Sequence, residues 1–150
     1  MFERVGRSRW GMIARFALVG ALLTACGDDP VEPGDPADAV VAMRITVGGT
    51  VVTVNEGGTV TGGPVNIGAG ATSVSVAFLD SDGDTVTGLG DFVVRATPAN
   101  TGIMTFQSTG DFTGTLTRVS AGTTQVAFEL FHVEEGHADF GPYNVSVTAS

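Results

Sequence analysis

From residue 40 onward the chain alternates apolar and polar side chains with a period of two. Val41, Met43, Ile45 and Val47 alternate with Ala42, Arg44 and Thr46. Such alternation marks a strand with one face buried. Gly48-Gly49 predicts a turn into a second strand at 50–54, and Asn55-Glu56-Gly57-Gly58 a further turn. A Gly-rich stretch then runs to Gly70. The segment 72–79 reads as a strand with Val74, Val76 and Phe78 on one face. More strands are expected at 92–97, 103–107, 112–119, 123–133 and 143–149, with 134–142 as a loop between the last two. Gly, Asp, Asn and Pro punctuate each junction, as turns require. No stretch after Cys26 carries a helical apolar stripe. Many short strands with regular turn signals predict an all-β domain, an antiparallel β-sandwich over 40–150.

The residues before this domain follow other patterns. Arg4, Arg7, Arg9 and Arg15 precede an apolar run at 16–23. That run is too short to span a bilayer, which takes about 20 apolar residues. A basic segment, a short apolar segment and then small residues predict a secretory signal peptide over 1–25. Leu23-Thr24-Ala25-Cys26 resembles the lipobox of bacterial lipoproteins. The resemblance implies a diacylglyceryl group on the Cys26 sulfur, cleavage before Cys26 and acylation of its new amine. Two or three acyl chains anchor a protein stably, at about 0.8 kcal/mol per buried CH₂. The membrane is then the first expected partner. Gly27 follows Cys26, and by the rule for enterobacterial lipoproteins Gly there favours the outer membrane. The segment 26–39 holds three Pro and five acids against one large apolar residue, Val31. It is expected to be a disordered, extended spacer of about 40 Å.

Within the domain, Phe78-Leu79-Asp80-Ser81-Asp82-Gly83-Asp84-Thr85-Val86-Thr87-Gly88 resembles the D-x-D-G-x-x-V hairpin of bacterial immunoglobulin-like domains of the Big_2 type. The strand and turn at 93–100 and the segment 110–122, closing on Ala121-Gly122-Thr123, are similar to the same family. The resemblance covers about 40–149. It implies an immunoglobulin-like sandwich that serves binding, adhesion or envelope structure, with envelope proteins or surface ligands as partners. The family commonly has Trp where Arg95 stands here. The only Trp of this chain is Trp10, in the leader, so Phe and Val are expected to fill the core.

Charge and composition narrow the function. The 150 residues carry seven Arg, no Lys and 16 acids, a formal charge of −9. From Cys26 onward three Arg face fifteen acids, a formal −12. An acidic surface without a basic patch excludes nucleic-acid binding. A single Cys excludes an internal disulfide. The absence of Lys, of a thiol after Cys26 and of G-x-S-x-G or H-E-x-x-H motifs argues against an enzyme. No resident cofactor is expected, with one exception.

The exception is Phe131-His132-Val133-Glu134-Glu135-Gly136-His137-Ala138-Asp139-Phe140, which holds both histidines and three carboxylates. Imidazole and carboxylate together suit Zn²⁺, Cu²⁺ or Ni²⁺. His132, Glu135, His137 and Asp139 are the candidate ligands, and an envelope metal-binding lipoprotein is the alternative function. In strand geometry His132 and Glu134 share one face. The same residues also suit a pH-sensitive cluster, or a solvated acidic tip where His132 caps the core and Phe140 and Tyr143 pack. Asp80, Asp82 and Asp84 alternate around Gly83 and suit either a Ca²⁺ loop or a plain turn.

Overall fold

The structure, a computed structural model, describes residues 34–150. The expected leader, Cys26 and the first part of the spacer lie outside the described residues. A one-turn 3-10 helix at Pro36–Ala39 precedes ten strands: β1 (Ala42–Val47), β2 (Thr50–Asn55), β3 (Val60–Gly62), β4 (Val65–Ile67), β5 (Ala71–Leu79), β6 (Phe92–Pro98), β7 (Met104–Gly110), β8 (Thr113–Arg118), β9 (Gly122–His132) and β10 (His137–Ala149). Among the described residues no helix is long and apolar enough to cross a membrane.

The strands form two sheets, one in the order β3-β2-β1-β5-β8-β7 and one in the order β4-β10-β9-β6. Set aside β2, β3 and β4, and seven strands remain. In chain order they run first-second-fifth-fourth in one sheet and third-sixth-seventh in the other. That is the immunoglobulin arrangement. The expected all-β, immunoglobulin-like sandwich is therefore present. β2 and β3 extend the first sheet beyond its edge. β4 lies parallel to β10, with Val65 opposite Val147, so the sandwich is not wholly antiparallel.

Period-two patterning explains the core. Met43, Ile45 and Val47 of β1, Val74, Val76 and Phe78 of β5, and Val126, Phe128 and Leu130 of β9 all point inward and are buried. Phe78 meets Phe112 and Phe140 edge-on, with centroids 5.8 and 6.4 Å apart. Phe, Met and the β-branched residues thus fill the space without Trp. Arg95 faces outward instead, its guanidinium 3.0 Å from the centroid of the Phe131 ring. Gly48 and Gly49, at φ 54° and 92°, make the two-residue turn that pairs Val47 with Thr50. Positive φ at both positions suits the twist of a tight hairpin.

Three expectations need correction. The domain begins before Val40: Asp35 caps the 3-10 helix by accepting from the Ala37 N–H at 2.9 Å, and Ala37 and Val40 join the core. So the end of the presumed disordered spacer is ordered. The Gly-rich stretch holds two short strands, β3 and β4. The segment after Phe78 does turn back in a short hairpin: Leu79 bridges Thr85 antiparallel, the Asp80 N–H donates to the Asp84 carbonyl at 3.0 Å and the Val86 N–H to the Phe78 carbonyl at 2.9 Å, and only beyond it does the chain cross to the other sheet. Finally, 137–142 is not a loop but the first part of β10, paired to β9 with two register shifts.

Candidate functional site

The site grows from the inward row of β9: Thr124, Val126, Phe128, Leu130 and then His132. At the end of this row an imidazole stands where the pattern calls for an apolar side chain. Its ring stacks on Phe92 of β6, centroids 4.3 Å apart at 29°, because Phe92 and His132 are register partners. His132 is 9% exposed, and it is the one buried ionisable side chain among the described residues.

A four-residue turn, 133–136, follows. The Gly136 N–H donates to the His132 carbonyl at 2.9 Å, and the Val133 N–H donates to the Asp91 carbonyl of the β5–β6 loop at 2.9 Å. Gly136 takes φ 76°. The chain then returns with His137 opposite His132 and Ala138 opposite Phe131. Paired residues share a face, so both histidines lie on the inner side. The next pairing is Phe140 with Leu130, which leaves Asp139 as an extra residue in a bulge. Bulges re-aim side chains. Here the bulge keeps Asp139 beside the histidines while Phe140 still enters the core.

The four candidate ligands therefore come together. His132 Nδ1 lies 3.7 Å from Glu135 Oε2 and 3.7 Å from Asp139 Oδ2. His137 Nε2 lies 3.6 Å from Glu135 Oε2 and 2.8 Å from Asp139 Oδ1, the latter a hydrogen bond. Imidazole and carboxylate alternate around a closed ring. Every contact within 4.0 Å between a basic side-chain nitrogen and a side-chain carboxylate among the described residues is in this ring. Glu134 is not part of it. It sits exposed in the turn, and Glu135 takes the place that strand alternation assigned to Glu134. His132 Nδ1 is buried with no hydrogen-bond partner among the described residues, since contacts of 3.7 Å exceed hydrogen-bond length. Among the described residues no group of three or more His, Cys, Asp or Glu side chains is placed so that it could hold a metal ion without moving.

The tip is also a packed structural corner, as the bland expectation had it. His132 closes the end of the core. Phe140 meets Tyr143 edge-on at 5.1 Å, and the Tyr143 hydroxyl accepts from the Gly57 N–H at 3.1 Å.

Asp80, Asp82 and Asp84 behave differently. Asp80 Oδ1 accepts from the Asp82 and Asp84 N–H groups, both at 3.0 Å. The Asp80 carboxylate closes its own turn, while Asp82 and Asp84 are exposed. A groove of ≈ 350 Å³ lies beside β3, β4 and β10, among Val60, Pro64, Gln125, Asn144 and Ser146. No ionisable side chain lines it. Sequence reasoning missed this groove because two of its walls are the unforeseen strands β3 and β4.

Comparison with known proteins adds little. No family model and no curated protein matches the chain. Among solved structures, domains 4 and 5 of the S-layer protein SbsC match at 14% identity, over 71% of this chain and 75% of theirs, with a TM-score of 0.44. At that level the likeness carries no argument about function.

Proposed function

We propose that the chain is an envelope lipoprotein whose immunoglobulin-like sandwich is displayed as a binding or structural module without catalytic activity. The supporting observation is the junction of two features. A lipobox-like Leu23-Thr24-Ala25-Cys26 stands eight residues before Gly34, and at Asp35 a closed sandwich begins. A module of this kind needs only a tether and a folded domain. Eight residues reach at most about 29 Å, so the domain stays near its membrane. The edge strands β3 and β7 of the larger sheet offer partner strands a place to pair.

The anchor is tested by Cys26→Ser and cell fractionation. The variant is expected to leave the membrane fraction and to lose the mobility shift of the acylated form. Unchanged retention and mobility overturn the reading.

A further inference from the structure

We propose that the β9–β10 tip is a binding site for a divalent first-row transition ion of the Zn²⁺ type, held by His132 Nδ1, His137 Nε2, Asp139 and Glu135. The argument starts from the orphaned nitrogen. A buried nitrogen without a partner is a cost that folded proteins rarely carry. Two carboxylates, those of Glu135 and Asp139, each stand 3.7 Å from His132 Nδ1. Neither carboxylate is close enough to hydrogen-bond to it. A cation placed there satisfies the lone pair and both carboxylates together.

The donor set is N₂O₂, and it suits this class of ion. Around a tetrahedral ion with bonds of about 2.0–2.2 Å, neighbouring donors stand about 3.3–3.6 Å apart. Three sides of the ring, at 3.7, 3.7 and 3.6 Å, lie within a few tenths of an ångström of that spacing. The fourth is the His137–Asp139 hydrogen bond at 2.8 Å, which must open. The closing movement falls on the side chains free to make it. Glu135 and His137 are 58% and 52% exposed, whereas His132 is pinned by Phe92. Among the described residues no Arg joins the ring to compete for its carboxylates. The Asp80–Asp84 turn shows the contrast: there Asp80 Oδ1 is already occupied by backbone N–H groups, and no orphaned atom points at a centre.

The site does not depend on the membrane anchor. Titration calorimetry with ZnCl₂ tests it on the full chain in detergent, with Cys26→Ser in every sample so that no thiol competes. One ion per chain is expected, with a Kd below about 10 μM. His132→Phe retains an aromatic ring on Phe92 and is expected to weaken binding at least tenfold. His137→Gln, at an exposed side chain that cannot unfold the core, is expected to do the same. Glu134→Gln, outside the ring, leaves the affinity unchanged. Binding no tighter than about 100 μM overturns the site and leaves a proton-binding or purely structural cluster. So does tight binding that survives His137→Gln undiminished.

Discussion

Single residues at the tip show which atoms are constrained by packing and which are not. Gly141 takes φ 91°, and a Cβ there would stand 2.7 Å from the Phe128 carbonyl oxygen. That carbonyl cannot yield, because Phe128 is fully buried at the centre of β9. Gly141→Ala is expected to destabilise the domain by about 1–3 kcal/mol, read from urea unfolding. A loss under a few tenths would mean that the backbone relaxes there. His132 makes the opposite case. Without metal its Nδ1 contributes nothing that the structure satisfies, so His132→Phe is expected to keep or raise thermal stability. A marked loss would show that Nδ1 has a partner, a bound water for example. Neither feature was legible in the sequence. Gly141 resembles any turn glycine, and an orphaned nitrogen exists only once β6, β9 and β10 are packed.

Among the elements, the strands that bury one face were legible because alternation records burial directly. β1, β5 and β9 fall within a residue or two of their expected places. The failures have equally physical causes. β3 and β4 are three residues each, too short for a pattern, and exist because β2 and β10 offer edges to pair with. The start of β10 was hidden because a bulge turns two successive residues, Asp139 and Phe140, to one side. That bulge is not needed for pairing. Without Asp139, Ala138 opposite Phe131 would lead directly to Phe140 opposite Leu130, a regular ladder. Deleting Asp139 is therefore expected to keep stability within about 1 kcal/mol, while removing one side of the His–carboxylate ring. A loss of several kcal/mol would mean that the bulge serves the twist of β10, and its placement of Asp139 would then be incidental.

For the whole molecule, the ends of the sandwich matter most. Residues 35–40 enter beside the end of β5, where the Val41 N–H donates to the Leu79 carbonyl at 2.9 Å. The β9–β10 tip lies at this same end, bonded to Asp91 of the β5–β6 loop. Ser150 and the β8–β9 turn lie at the other end, joined by the Arg118 guanidinium donating to the Ser150 carbonyl at 2.9 Å. A chain beginning at Gly34 should thus fold like the full protein. One beginning at Ala42 loses the buried Ala37 and Val40 and should be less stable by about 2–4 kcal/mol. Equal stability of the two would place the domain boundary back at residue 40.

The same geometry bears on the proposed anchor. A tether on Cys26 would attach at the end that carries the His–carboxylate ring, so the ring would face the membrane rather than the surroundings. β9 spans 11 residues, about 36 Å at strand rise, enough to separate the two ends by energy transfer. A dye on Glu134→Cys should then transfer more strongly to an acceptor in the lipid than a dye on Ser120→Cys, since a Cys26 acylated as proposed would leave only the new thiol to label. Stronger transfer from position 120 would invert the orientation, and equal transfer would mean that the tether lets the domain tumble without preference. Either result would remove the membrane as the neighbour of the ring. It would leave a soluble or surface partner to explain why an acidic tip, and not an apolar one, closes the core at that end.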